Sequence, residues 1–273
     1  MILRDLRIVA THEDACAEVA RCVAQTLIHG DRPVLALPTG QTPLPMYEAL
    51  VFLAREGVVR LSHATVFNLD EYLDLPRTSP HTYRAYMETV LWSRLPHQPL
   101  AARIPCSDPD DPTAECRNYE QAIRSAGGID LAILGIGANG HIGFNEPGTP
   151  WHAATHVTQL SETTRRRNAD PFGGVHQTPR RAITMGIRTL MHARRIVLLV
   201  SGADKAEILA SALQGEPTLE IPASVLQLHP ALTVVVDRPA GRGLSPDGPC
   251  RPEESGAVLI PHPKDPPAED RPG

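Results

Sequence analysis

Short apolar runs recur along this chain, and four of them end in loops rich in glycine, hydroxyl, amide or carboxylate groups. The runs are 34–37, 64–69, 130–134 and 195–200. The loops are Thr39-Gly40-Gln41-Thr42-Pro43, Asp70-Glu71-Tyr72, residues 135–146, and Ser201-Gly202-Ala203-Asp204-Lys205. Runs this short and apolar read as buried strands. Residues 7–10, 181–185 and 232–236 add three more. Between them lie segments expected to be helical: 13–29, 44–55, 80–94 with Ser79 as N-cap, 112–125 and 205–213. Strands alternating with helices predict an α/β fold with a mostly parallel sheet covered on both faces. In such a sheet all strand C-termini lie along one edge, and ligands bind where the strand order reverses. Four loops remote in sequence are therefore expected to meet in one site.

Composition sets the frame. The 273 residues suit one α/β domain, here residues 1–238, and 42% apolar residues supply a core that 4% aromatics make largely aliphatic. From Pro239 onward the chain holds nine of its 27 prolines. Residues 239–273 are expected to form a mostly disordered Pro-rich tail, in which only the apolar patch 257–260 offers a weak docking segment. A net charge of −5 argues against nucleic acid as the main partner. Five scattered cysteines (Cys16, Cys22, Cys106, Cys116, Cys250) without a CxxC pair indicate neither a zinc ribbon nor a disulfide framework, and reduced thiols in the cytosol fit better. No apolar stretch has transmembrane length, and the N-terminus lacks a signal-peptide core, so no membrane partner and a cytoplasmic location are expected.

The loop at 135–148 concentrates the chemistry: Gly-Ile-Gly-Ala-Asn-Gly-His-Ile-Gly-Phe-Asn-Glu-Pro-Gly. Its glycines permit close approach to a ligand, and Asn139, His141 and Glu146 are groups that hold and move protons. The first six residues match GxGxxG, yet the stretch after His141 does not read as a helix. Glu162, at the spacing of a ribose ligand, starts a helix rather than ending a strand. A dinucleotide fingerprint needs that helix to seat the pyrophosphate. The loop 39–43 precedes a helix, where backbone amides and the dipole suit a phosphate; an ordinary capped turn with Pro43 is the alternative. Lys205 in a first helical turn opposes the dipole unless an anion sits there, although an exposed lysine is common. Asp70 at a strand end is a candidate base, or one of two acids in a solvated turn. His12, His63, His97 and His192 show no metal spacing and are expected to be solvated or locally bonded. The run Arg165-Arg166-Arg167 reads as a solvated helix face or a phosphate contact.

Together these segments resemble the glucosamine-6-phosphate deaminase (glucosamine/galactosamine-6-phosphate isomerase) family. The resemblance rests on 37–43, 67–72 (Phe-Asn-Leu-Asp-Glu-Tyr), 135–148, 182–186 (Ala-Ile-Thr-Met-Gly), 201–205 and 226–230 (Leu-Gln-Leu-His-Pro), in family order from about residue 5 to 238. It implies a Rossmann-like three-layer sandwich of the NagB type. The implied reaction turns glucosamine 6-phosphate and water into fructose 6-phosphate and ammonia. Asp70 would take the C2 proton of the opened aminosugar and deliver it toward C1. His141 would catalyse ring opening with Asn139 and Glu146 orienting it, Glu146 raising its pKa. Thr39, Gly40, Gln41, Thr42 and Lys205 would hold the sugar phosphate. No metal and no cofactor are implied, and a homo-oligomer is compatible with the family.

The chain departs from the family pattern in three places. Asp170 stands where family members commonly carry a phosphate-binding arginine, so Arg166, Arg167 or Arg180 would have to substitute, or the substrate differs. Arg188 stands where glycine is usual. The stretch 151–159, Trp-His-Ala-Ala-Thr-His-Val-Thr-Gln, lacks the basic residues of allosteric members. Two other functions are consistent with the loops: a 6-phosphogluconolactonase-type hydrolase on the same fold, and a sugar-phosphate-binding regulator without turnover.

Overall fold

A computed structural model describes residues 5–244. The strands are β1 (Asp5–Val9), β2 (Val34–Leu37), β3 (Thr65–Asn68), β4 (Asp70–Tyr72), β5 (Ala101–Arg103), β6 (Leu131–Leu134), β7 (His156–Gln159), β8 (Arg181–Thr184), β9 (Arg195–Val200) and β10 (Leu232–Asp237). The α-helices are α1 (His12–His29), α2 (Leu44–Arg55), α3 (Tyr83–Val90), α4 (Pro112–Ser125), α5 (Glu162–Arg167), α6 (Ile187–Met191), α7 (Ala206–Gln214) and α8 (Arg238–Gly241).

Among these residues, seven strands form one parallel sheet in the order β1-β10-β9-β6-β2-β3-β5. Alternate residues of its strands serve two separate cores, as the pleat requires. Leu35, Leu37, Leu131, Ile133, Val197 and Leu199 pack under α1 and α2. Val34, Ala36, Ala132, Leu134, Ile196 and Leu198 face the side covered by α4, α6, α7 and the 3₁₀ stretch Pro222–Leu228. With both faces covered, these strands are apolar throughout, which is why they are legible as continuous runs. The expected three-layer α/β sandwich is the observed one.

Chain order reverses between β2 and β6. From β2 the chain proceeds outward through β3 to β5, and from β6 outward the other way through β9 to β10. The loops after β2, β3, β6 and β9 therefore open at one sheet edge, at the switch point.

Several boundaries differ from expectation. The strand expected over 64–69 stops at Asn68, and Asp70 begins a separate strand, β4, instead of ending the first. It pairs antiparallel with β8, which also pairs with β7, as a second sheet. β8 thus lies outside the parallel sheet in which 181–185 was expected. The helix expected over 80–94 starts at Tyr83 and ends at Val90, followed by a 3₁₀ turn, Trp92–Arg94. Its cap is Thr82 rather than Ser79, because the Thr82 hydroxyl accepts the Ala85 N–H at 3.1 Å. Lys205 precedes α7 as its N-cap, ending a 3₁₀ turn over Ala203–Lys205.

The folded body also extends past 238. Asp237 caps α8 by accepting the Ala240 N–H at 2.8 Å, and Ala240 and Gly241 are buried. The expected tail therefore does not begin at Pro239; residues 245–273, including the patch 257–260, and Cys250 lie outside the described residues. Cys16, Cys22, Cys106 and Cys116 are free thiols. His12, His63 and His192 bond to backbone oxygens of Thr42, Leu27 and Arg188, as a local role predicts. Among the described residues, no helix is long and apolar enough to cross a membrane.

Candidate active site

A cavity of about 370 Å³ opens at the switch point. Its walls include Thr39, Gly40, Gln41 and Thr42 after β2, Asp70 at the start of β4, Asn139 and His141 after β6, and Lys205 after β9. The convergence expected from the sequence is thus observed for eight of the nine candidate residues. The ninth, Glu146, lies behind Asn139 and meets it by a hydrogen bond.

Asp70 is buried, 6% exposed, with no protein hydrogen bond to its carboxyl among the described residues. Burial, with Glu71 beside it in the chain, pushes its carboxyl up to about 8. Glu71 is buried too, but its carboxylate accepts N–H bonds from Tyr72 (2.9 Å), Tyr83 (2.8 Å) and Arg84 (3.0 Å). Burial still pushes it up to about 7, against the pull of those donors. Glu71 thereby fastens the start of α3, and Tyr83 in that first turn lines the cavity. The two acids expected as one motif have separate tasks.

The 135–148 loop builds a three-member relay. His141 Nδ1 lies 2.7 Å from Asn139 Oδ1, and Asn139 Nδ2 donates to Glu146 Oε2 at 2.7 Å. Since the amide nitrogen donates to the carboxylate, the amide oxygen is the acceptor, and the neutral imidazole carries its proton on Nδ1. Nε2 is left as a lone-pair acceptor with no protein partner among the described residues. Glu146 is held in turn by the Ser161 N–H at 3.1 Å and the Thr164 hydroxyl at 2.6 Å.

The electrostatics correct one expectation. Glu146 does favour a proton on His141, yet burial outweighs it, and Lys205 and Arg167 oppose the proton as well. The imidazole is therefore shifted below, not above, its ordinary range. Gly137 makes room for the ring, because a Cβ there would lie 2.2 Å from His141 Cε1. Downstream, no helix follows Gly140; the chain turns back, and Asn145 Nδ2 donates to Ile142 O (2.7 Å) and Met185 O (2.8 Å). The helix that would seat a dinucleotide pyrophosphate is missing from this loop.

The loop 39–43 is tied down from below. Tyr86 donates its hydroxyl to Gly40 O at 2.5 Å, and Cys16 Sγ and His12 Nε2 reach Thr42 O at 3.2 and 2.8 Å. The loop precedes α2, with Pro43 as the N-cap residue. On the opposite wall, Lys205 Nζ donates to Ile136 O at 3.0 Å. Burial, and then Arg167 nearby, lower the pKa of the Lys205 ammonium.

Sequence reasoning missed three contributors. Thr164 and Ser161 orient Glu146. Asp237 accepts from Ser201 Oγ at 2.5 Å and from Gly202 N at 3.1 Å, fixing the loop that carries Lys205. Ser161 and Thr164 form a helix cap at α5, where Thr164 N donates to Ser161 Oγ at 3.1 Å. That pattern is the signal that could have found them.

The model of the family of glucosamine-6-phosphate isomerases and 6-phosphogluconolactonases matches residues 9–235. A glucosamine-6-phosphate deaminase of Shouchella clausii is 43% identical over 232 residues, 85% of this chain and 94% of that protein. Glucosamine-6-phosphate deaminase 1 of Bacillus subtilis is 42% identical over 230 residues, 84% of this chain and 95% of that protein. Among solved structures, a monomeric glucosamine-6-phosphate deaminase superposes with a TM-score of 0.85 at 40% identity, covering 88% of this chain and all of that one. A 6-phosphogluconolactonase of Thermotoga maritima superposes at 0.66 with 25% identity, covering 86% of this chain and all of that one. The chain belongs to the family of glucosamine-6-phosphate isomerases and 6-phosphogluconolactonases.

Proposed function

We propose that the protein is a glucosamine-6-phosphate deaminase, a hydrolase that converts glucosamine 6-phosphate and water to fructose 6-phosphate and ammonia. The observation that carries this reading is the pairing of an unbonded, buried carboxyl, Asp70, with a neutral imidazole, His141, on the walls of one cavity.

In ring opening, His141 Nε2 takes the proton of the C1 hydroxyl and returns it to the ring oxygen as the C1–O bond breaks. Asn139 and Glu146 keep the proton on Nδ1 throughout, so Nε2 stays available. Asp70 then removes the C2 proton from the open-chain aldehyde while the substrate's ammonium group gives a proton to O1, which forms the enolamine, and Asp70 delivers the C2 proton to C1. The C2 imine that results takes up water and releases ammonia, leaving the C2 ketone. A carboxyl with a pKa near neutrality is matched to both halves of this transfer. Thr39, Gly40, Gln41, Thr42 and Lys205 hold the phosphate, with the amides before α2 and the Lys205 ammonium as donors.

A lactonase of the same fold needs no base acting on C2, and this chain is 43% and 42% identical to two deaminases against 25% to the lactonase above. The purified protein should release ammonia and fructose 6-phosphate in equal amounts from glucosamine 6-phosphate. Hydrolysis of 6-phosphogluconolactone without ammonia release would support the lactonase, and binding without turnover would support a regulator.

A further inference from the structure

Asp170, which the resemblance sets at an arginine position, is exposed at the start of a 3₁₀ turn, Asp170–Phe172, and is absent from the cavity wall. The nearby basic residues divide by task. Arg165 donates to the backbone oxygens of Val175 and Thr178 (2.5 and 3.1 Å), and Arg166 pairs with Glu162 on the outer side of α5. Arg180 is exposed and lines no part of the cavity. Arg167, at the end of α5, lines it.

Arg167 stands close enough to Lys205 and to His141 to disfavour a proton on each. Two cations thus share one end of the cavity. Among the described residues, the acid that pairs with Arg167 is Asp204, whose Oδ2 lies 3.3 Å from Arg167 Nη1. That pair is about half exposed on both sides, 48% and 57%, where water screens it and its worth is small. A phosphate dianion matches the two cations in charge, and its oxygens match a guanidinium fork better than one carboxylate oxygen at 3.3 Å does.

We propose that Arg167 is the specificity-determining second cation of the phosphate subsite, and that the substrate's phosphate displaces Asp204 from it. The proposal rests on the deaminase reading for the identity of the substrate. Arg167, on the cavity wall three residues before Asp170, supplies the cation that Asp170 does not. Asp204 acts as a built-in competitor: a phosphorylated sugar displaces it, and a neutral sugar does not.

The test is calorimetric titration of the full chain with inorganic phosphate at low ionic strength, for the parent protein, Arg167→Ala and Asp204→Asn. Thermal melts confirm that each variant is folded. Arg167→Ala should weaken phosphate binding about tenfold or more, and Asp204→Asn should tighten it by roughly two- to fivefold. With glucosamine 6-phosphate, Arg167→Ala should raise KM far more than it lowers kcat. Unchanged phosphate affinity in Arg167→Ala overturns the assignment. Weakened or unchanged affinity in Asp204→Asn overturns the competition, since Asp204 would then aim the guanidinium or do nothing. Ammonia release by the parent protein scores the deaminase reading separately, because phosphate binding is measured without turnover.

Discussion

Asp70 and Glu71 are neighbours in one short strand, yet Glu71 takes three backbone N–H bonds while Asp70 takes no protein hydrogen bond among the described residues. The stabilising donors go to the acid that builds the wall. Asp70, the proposed base, is left buried and without such donors, which keeps its proton affinity high.

That provision has a cost in stability whose sign is set by linkage. Asp70 has an ordinary value of 3.8 and sits at about 8 in the fold. Between those values the folded protein holds a proton the unfolded chain has released, so stability falls as pH rises through this window and levels off above it. Asp70→Asn removes the effect. Its free energy of unfolding, from denaturant melts, should exceed the parent's by a margin that grows from about pH 4 to about pH 8, reaching on the order of a few kcal/mol. A margin independent of pH would contradict the raised pKa.

In the proposed reaction, activity depends on the same proton in the opposite sense. As a base Asp70 must be ionised, so kcat/KM of the parent should rise toward about pH 8 and plateau beyond it. The groups facing Asp70 are Glu71 on its own strand and the phenols Tyr72, Tyr83 and Tyr119. Glu71→Gln removes the one neighbouring acid and should shift the limb to lower pH. The shift should be smaller than the full displacement, because burial is the larger cause. A pH–rate profile of both proteins checks it.

Thr164→Val removes the hydroxyl that donates to Glu146 at 2.6 Å while keeping the side chain's shape. An underprovided Glu146 no longer fixes Asn139, and through it the His141 tautomer. We expect kcat to fall by about ten- to a hundredfold, the equivalent of losing one hydrogen bond to a charged group, with KM changed little. Loss confined to KM would contradict the relay.

Lys205→Ala should act on binding. In the proposed phosphate subsite Lys205 is a cation that the phosphate meets equally in the ground and transition states, so KM should rise much more than kcat falls. Steady-state kinetics with glucosamine 6-phosphate decide this, and an equal loss confined to kcat would refute it.

The sequence was most legible where burial was complete. β2 and β9, apolar on both faces, and α2 and α4, which begin at proline-marked turns, appear at the expected residues. β5 and β7 escaped because Ala101–Arg103 and His156–Gln159 are partly exposed at sheet edges and carry no apolar run. The second sheet escaped because the pairing of Asp70 with Thr184 joins segments more than a hundred residues apart, which no local pattern records. The residues that line the cavity were legible because glycines and polar groups mark their loops. Their supports were not: Thr164 and Asp237 look like ordinary cap and strand-end residues until the fold brings Glu146 and Gly202 against them.

In the proposed reaction Asp70 carries a proton between C2 and C1 of the opened sugar. Turnover of glucosamine 6-phosphate in deuterium oxide, with NMR of the sugar carbons as the readout, measures this directly in the parent protein and in Asp70→Asn. Fructose 6-phosphate from the parent should carry partial deuterium at C1, the unlabelled remainder keeping the hydrogen taken from C2, and the variant should show neither C2 exchange nor C1 labelling while it still binds the sugar phosphate. Exchange at the parent's rate in Asp70→Asn would contradict it.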